Sequence, residues 1–119
     1  MPRILLVDDE PLISMMVEDW LTELGCEVVG PARSVADGLG FATEAPLDGA
    51  ILDIRLGDGE SYPVAQALLS RGIPFAFATG QGEGSLNSEF EGQPILVKPF
   101  DFASVQDVLG KLLARPVTL

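Results

Sequence analysis

The chain has 119 residues, which corresponds to one domain, and its 47% hydrophobic content is enough for a buried core. Eighteen acidic residues against seven basic ones give a net charge of −11, which argues against binding nucleic acid or an anionic membrane through bulk charge. The absence of histidine excludes His-dependent catalysis, His-ligated zinc and a phosphohistidine on this chain. The single cysteine excludes an internal disulfide and fits a reducing cytoplasm.

The N-terminal half alternates a buried strand with amphipathic helices. Residues 4–7 form a continuous apolar run that ends in acidic residues, which is typical of a strand buried on both faces. From Pro11 the apolar spacing becomes helical and predicts a first helix. Its predicted apolar face consists of Ile13, Met16, Val17, Trp20, Leu21 and Leu24. Residues 27–30 predict a second strand, and Ser34 is a suitable N-cap for a second helix that runs to about Glu44.

The C-terminal half repeats this alternation with one interruption. The predicted elements are a strand at 50–52, a loop at Gly57 and Gly59, a helix with Ala65, Leu68 and Leu69, strands at 74–78 and 95–97, and a last helix with Phe102, Val105, Leu109, Leu112 and Leu113. Between residues 80 and 94, three glycines within five residues disfavour a full helix. We expect a short or frayed fourth helix there, mobile in solution.

Five short apolar strands that alternate with helices predict an α/β fold. Such strands form a doubly wound parallel sheet covered by helices on both faces, and we expect one domain over residues 1–119. In such sheets the ligand site lies beyond the carboxyl ends of the strands, where the strand order reverses. The sequence has no apolar stretch long enough for a transmembrane helix, and carboxylates follow too soon after Met1 for a signal peptide, so we expect a cytoplasmic protein.

Polar side chains end four of the five predicted strands. They are Asp8 and Asp9, Asp53, Thr79 and Lys98, and in a parallel sheet all of them lie at the same edge. Carboxylates brought together there repel one another, and a bound divalent cation removes that penalty. Oxygen ligands without histidine or a second cysteine favour Mg²⁺ over zinc or copper.

A carboxylate beside Mg²⁺ can attack an activated phosphoryl group and form an aspartyl phosphate. The phosphoryl group spreads charge over three oxygens, which the metal, the Lys98 ammonium and the Thr79 hydroxyl with the following amide can each contact. Taken one at a time, these residues have more ordinary interpretations as helix N-terminal acids, turn residues or a solvated strand end. Their joint placement at the strand ends favours a phosphoryl-transfer site.

At these residues the chain resembles the receiver domains of two-component response regulators. The resemblance covers essentially the whole chain and includes residues 4–10, 51–53, 78–79 and 97–100, in order and at the family's spacing. It implies a flavodoxin-like sheet with strand order 2-1-3-4-5, as in flavodoxin and the chemotaxis receiver.

The resemblance also implies a role for each acidic residue of the site. Asp53 would be the phosphoacceptor and would take its phosphoryl group from the phosphohistidine of a partner kinase. Asp9 would bind Mg²⁺ directly and Asp8 through water, while Arg55 would give its backbone carbonyl to the metal.

The resemblance further implies that Thr79 is the switch hydroxyl and that Lys98 binds the phosphoryl group, with a cis peptide before Pro99. Ile95 stands where receivers usually carry Tyr or Phe, which departs from the usual Thr–aromatic switch. Residues 74–80 and 61–65 are similar to the "FAT GUY" subfamily, known from general stress signalling in alphaproteobacteria, whose fourth helix is often poorly ordered.

The resemblance implies a single-domain response regulator and not an enzyme. Its expected partners are a sensor histidine kinase or phosphotransfer protein and an unknown downstream protein, with no nucleic acid and no membrane, and the expected state is a monomer or weak dimer. We expect phosphorylation to restrict residues 80–94 to fewer conformations. This change would alter a protein-binding surface around residues 80–113 and so transmit the signal.

Three alternatives remain open at this point. The chain could be a phosphate sink, or a docking module that never uses its phosphorylation site. A phosphatase of the haloacid dehalogenase type is disfavoured, because it needs a second Asp where Arg55 stands and because the chain is too short for a cap domain.

Overall fold

The computed structural model describes residues 1–80, 90, 92–98 and 101–114. The elements in chain order are β1 (Arg3–Val7), α1 (Pro11–Glu23), β2 (Glu27–Ala32), α2 (Val35–Glu44), β3 (Gly49–Asp53), β4 (Arg55–Leu56), β5 (Gly59–Glu60), α3 (Tyr62–Ser70), β6 (Phe75–Thr79), β7 (Ile95–Val97) and α4 (Phe102–Leu113). The helix expected within 80–94 and the cis peptide expected before Pro99 lie outside the described residues. None of the helices in the described ranges has the length and apolar character needed to cross a bilayer.

The five main strands form one parallel sheet in the order β2-β1-β3-β6-β7. Counted over these five strands, this is the predicted 2-1-3-4-5 order, so the predicted fold is confirmed. The expected loop at Gly57 and Gly59 instead contains the antiparallel hairpin β4–β5, in which Arg55 lies opposite Glu60. Leu56 is buried in the core and holds this hairpin against the sheet, and a single apolar residue was too short a signal to predict a strand.

Both faces of the sheet are covered, as the alternation of side chains along β1 illustrates. Leu5 and Val7 pack in a core with residues of α2 and α3, whereas Ile4 and Leu6 pack in a second core with residues of α1 and α4. Successive side chains of a strand point to opposite faces, so a strand that is apolar at every position needs helices on both sides. The observed layers confirm the predicted helices on both faces.

The apolar face predicted for α1 is correct except at one residue. Val17, Leu21 and Leu24 are buried, as expected, but Met16 is partly exposed and the small Ser14 is buried instead. The buried line through positions 14, 17, 21 and 24 shows that the helix is rotated slightly from the predicted orientation. Apolar spacing alone did not reveal this rotation, because a serine at a tightly packed position carries no hydrophobic signal.

Candidate phosphoryl-transfer site

The register of the parallel strands brings the predicted site residues to one edge of the sheet. Val7 pairs with Leu52 in the next strand, so Asp8 and Asp53 both follow at the carboxyl ends. Asp53 in turn lies opposite Ala78, one residue before Thr79. The backbone N–H of Lys98 donates to the carbonyl oxygen of Thr79 at 2.7 Å, which fixes the start of the Lys98 side chain at the same edge.

The central contact of the site joins the two oppositely charged residues, Asp53 and Lys98. Asp53 is 4% exposed, and the Nζ atom of Lys98 donates to its Oδ2 atom at 3.0 Å. The same Nζ atom lies 3.4 Å from Oε1 of Glu10. The ammonium therefore lies between a buried carboxylate and an exposed one.

Asp8 is held beside this pair by its own backbone environment. Its N–H donates to the carbonyl oxygen of Ala32, and its Oδ1 atom accepts from the N–H of Glu10 at 2.8 Å. Asp8 is 3% exposed, and Asp8, Glu10 and Asp53 each offer a carboxylate oxygen within 4.8 Å of the others. Three converging carboxylates with one nearby cation leave excess negative charge, which suits a hard divalent ion.

Burial is the main cause of the raised pKa values of the two buried carboxylates, Asp53 and Asp8. Burial raises the pKa of Asp53 to about 6, with the charges of Asp8 and Asp9 acting in the same direction and Lys98 opposing them. Burial also raises the pKa of Asp8 above its usual value. For Lys98, burial disfavours the ammonium, but the hydrogen bond to Asp53 and the surrounding carboxylates outweigh burial and raise its pKa. The site thus holds a lysine that is charged at neutral pH beside two buried carboxylates whose ionised forms are poorly solvated.

Three other predicted site residues lie around this cluster. Asp9 is half-buried, and its Oδ2 atom lies 3.7 Å from where a Cβ atom of residue 57 would stand, so its carboxylate faces Gly57 in the β4–β5 hairpin. Arg55 lies in β4 with its side chain exposed, and Thr79 is half-buried at the end of β6. Among the described residues the converging carboxylates are those of Asp8, Glu10 and Asp53, without Asp9.

Glu10 is the site residue that the sequence analysis missed. The sequence placed Glu10 only in the acidic run after β1. In the structure its carboxylate contacts Lys98, which lies near the other end of the chain. The available signal was the third consecutive acid at a strand end. The contact depends on the start of α1, because Glu10 is the N-cap residue of that helix and its direction is set there.

The hairpin that follows Asp53 is tied to the start of α2. The carboxylate of Asp58 accepts from the backbone N–H of Val35 at 3.0 and 3.2 Å, next to the N-cap hydrogen bond of Ser34. The N–H of Ser61 donates to the carbonyl oxygen of Ile54 and closes the loop. Asp58 thus caps a helix that lies 23 residues earlier in the chain.

We therefore expect Asp58→Ala to lower the free energy of unfolding by about 1 kcal/mol, the usual cost of losing a helix cap. Urea unfolding followed by circular dichroism measures the change. Glu60→Gln, an exposed carboxylate change in the same hairpin, should stay within about 0.5 kcal/mol of the wild type. Equal stability of the two variants would show that the Asp58 cap does not hold the loop.

The family model for the response regulator receiver domain matches residues 4–109. The chain belongs to the response regulator receiver domain family. Receiver domains are signalling domains that accept phosphoryl groups from histidine kinases or phosphotransfer proteins, and they bind Mg²⁺ at an acidic pocket. The oxygen donors of Asp8, Glu10 and Asp53 fit that ion, because all are hard carboxylate oxygens within mutual reach.

Among similar receivers, the solution structure of SdrG from Sphingomonas melonis Fr1 is 46% identical, with a TM-score of 0.84, and covers 95% of this chain and 97% of that one. A solution structure of the BeF3-activated conformation of SdrG, from Pseudomonas melonis Fr1, is also 46% identical, with a TM-score of 0.78 and coverage of 93% and 95%. The regulator PhyR from Methylorubrum extorquens is 37% identical over 115 residues, which make up 93% of this chain. The chain spans only 43% of the length of that PhyR. These likenesses are compatible with the FAT GUY subfamily, which stays a prediction.

Proposed function

We propose that this receiver, a single domain over residues 1–119, accepts a phosphoryl group on Asp53 in a Mg²⁺-dependent phosphorelay in the cytoplasm. The donor is a sensor histidine kinase or a phosphotransfer protein, and the output is a changed contact with a downstream protein. The observation that carries the proposal is the hydrogen bond from Lys98 Nζ to Asp53 Oδ2 beside the buried Asp8. Asp8, Asp9, Asp53 and the backbone carbonyl of Arg55 would hold the metal, as the family resemblance implies, with the Glu10 carboxylate close enough to contribute its charge.

Each residue of the proposed site has a distinct chemical task. An oxygen of Asp53 attacks the phosphorus of the donor's phosphohistidine, the phosphorus–nitrogen bond breaks, and the imidazole leaves with the electron pair. A pKa of about 6 leaves the Asp53 carboxylate largely ionised at pH 7.5, so the nucleophile is present. The Lys98 ammonium pairs with one phosphoryl oxygen, and the Thr79 hydroxyl donates to another. The carboxylates of Asp8 and Asp9 would hold Mg²⁺, which would neutralise part of the charge on the transferred group.

The surface beside the site supports contact with a protein donor. Leu12 and Met15 in the first turns of α1 are 81% and 57% exposed, directly after the acidic residues that end β1. Exposed apolar side chains grouped beside a reactive residue are typical of a protein-binding surface. A donor that covers them would bring its phosphohistidine towards Asp53.

A second exposed apolar pair supports an effector output over a phosphate sink. Ile95 and Val97 are 43% and 51% exposed on β7, which is an edge strand of the sheet and packs against α4. Both residues belong to the output surface expected around residues 80–113. The backbone of Thr79 in β6 pairs with that of Val97 in β7. A change at the Thr79 hydroxyl would therefore reach this surface through directly paired strands.

Intact-mass spectrometry after incubation with acetyl phosphate and Mg²⁺ tests the function. The wild type is expected to gain one phosphoryl group, while Asp53→Asn gains none and a chelator prevents the gain. Asp107→Asn, which changes an exposed aspartate on α4, serves as the matched control and should be labelled like the wild type. Labelling of Asp53→Asn, or labelling that is indifferent to the chelator, would contradict the proposal.

A further inference from the structure

Lys98 has a second carboxylate partner in addition to Asp53. Its Nζ atom lies 3.0 Å from Asp53 Oδ2 and 3.4 Å from Glu10 Oε1. The two carboxylates differ in environment, since the side chain of Asp53 is 6% exposed and that of Glu10 is 56% exposed. The ammonium therefore lies where the buried site opens to solvent, with Glu10 on the outer side.

This arrangement has opposite consequences for an anion and for a cation that enters the site. A phosphoryl donor brings negative charge towards Asp53 and needs the Lys98 ammonium, which Glu10 also holds and whose charge Glu10 partly cancels. A divalent cation gains from Glu10, because a carboxylate oxygen of Glu10 lies within 4.8 Å of those of Asp8 and Asp53. The same side chain thus disfavours the phosphoryl group and favours the metal.

We propose that Glu10 is a positioning residue that shares the Lys98 ammonium with Asp53 in the unphosphorylated protein and thereby slows phosphorylation of Asp53. The effect on phosphorylation rests on the proposed function, whereas the sharing of the ammonium does not. Glu10 acts through Lys98 and needs no contact of its own with the phosphoryl group. Because Glu10 is largely exposed, it limits the rate and does not block the site.

Glu10→Gln, which keeps the size of the side chain and removes its charge, tests the proposal. At saturating Mg²⁺ we expect phosphorylation by acetyl phosphate, followed by intact mass, to be roughly three- to tenfold faster than in the wild type. We expect Mg²⁺ itself, titrated by NMR without a phosphodonor, to bind roughly threefold more weakly. Loss of a merely structural residue would lower both quantities, so the opposite signs identify the positioning role. A rate equal to or below that of the wild type would overturn the proposal.

Glu44→Gln provides the matched control. It removes the same charge from an exposed side chain at the end of α2, away from the site, and should leave both the rate and the Mg²⁺ affinity as in the wild type. If Glu44→Gln raised the rate as much as Glu10→Gln, the net charge of the protein would account for the effect, and the proposal would be wrong.

The NMR signal of the Lys98 side-chain ammonium provides a readout that needs no phosphorylation. Glu10→Gln should shift this signal in the unphosphorylated protein, and Glu10→Asp, whose carboxylate is one methylene shorter, should shift it similarly because direct contact is lost. An unmoved Lys98 signal in Glu10→Gln, or a wild-type signal in Glu10→Asp, would overturn the shared contact. Absence of phosphorylation in the wild type would instead overturn the proposed function, and the Lys98 signal would still decide whether the ammonium is shared.

Discussion

Asp53→Asn is expected to stabilise the metal-free protein by about 3 kcal/mol at pH 7.5 while abolishing phosphorylation. The Asp53 carboxylate is buried, and burial raises its pKa from the usual 3.8 to about 6. The folded state therefore binds the Asp53 proton more tightly than the unfolded chain does. Asparagine resembles the protonated acid in shape and charge, so it removes the cost of ionising a buried group, which is about 1.4 kcal/mol for each pKa unit.

The sign of the pH dependence follows from the same shift. Between about pH 4 and pH 6 the folded protein holds more protons than the unfolded chain, so the contribution of Asp53 to stability falls as the pH rises through this window. Above the window the contribution stays low. The advantage of Asp53→Asn should therefore be largest above pH 6 and should vanish near pH 4. Asp8, whose pKa burial also raises, adds a pH dependence of the same sign that both proteins share.

Urea unfolding at pH 4.5 and 7.5 in the presence of a chelator measures this difference. Asp19→Asn, which changes an exposed aspartate of α1, should remain within about 0.5 kcal/mol of the wild type at both pH values. Saturating Mg²⁺ should stabilise the wild type more than Asp53→Asn, because an ion that binds only the folded state adds stability by mass action. If the unfolding free energies of the wild type and Asp53→Asn depended on pH in the same way, burial of the ionised Asp53 carboxylate would not cost stability.

Phe90→Ala is expected to cost about 3–4 kcal/mol of unfolding free energy, the largest stability effect that we predict. Phe90 is fully buried, its ring stacks on that of Tyr62 with centroids 5.4 Å apart, and it meets the rings of Phe75 and Phe77 in T-shaped, edge-to-face contacts. Removal of such a ring loses its transfer free energy, leaves a cavity and breaks these aromatic pairs. The cluster also joins the chain before β7 to α3 and β6.

Thermal and urea unfolding of Phe90→Ala and Phe41→Ala provide the comparison. Phe41 is partly exposed on α2, so its loss should cost less than about 1 kcal/mol. For a domain of this size the expected loss at Phe90 corresponds to a midpoint lowered by more than about 10 °C. Similar costs for the two variants would contradict the anchoring role of Phe90.

The raised pKa of Asp53 has a counterpart in the proposed function. A buried carboxylate among other acids is poorly stabilised without a cation, and Lys98 alone does not balance the charge of the site, which in the proposed function leaves room for a divalent cation. The increase in unfolding free energy expected for Asp53→Asn equals the stability that the folded protein loses by keeping an ionised carboxylate at this position. Reactive residues are often maintained at such a cost to stability.

Much of the site was predictable because it depends on the strand ends alone. Asp8, Asp53, Thr79 and Lys98 each follow or end an apolar run, and in a parallel sheet such positions meet at one edge whatever the details of packing. The position of Glu10 was not predictable in this way. Its contact with Lys98 joins residues 88 apart in the chain and depends on how α1 begins above the sheet.

The sequence by itself determined the alternation of strands and helices, the burial of β1 and the row of polar residues at the strand ends, because these depend on periodicity and composition over a few residues. Only the tertiary structure decided the rotation of α1 that exposes Met16, the hairpin held by Leu56, and the carboxylates that share Lys98. These features depend on contacts between segments distant in the chain, whose free energies are set by three-dimensional packing and burial. The spacing of apolar and polar residues within a short segment does not predict such contacts.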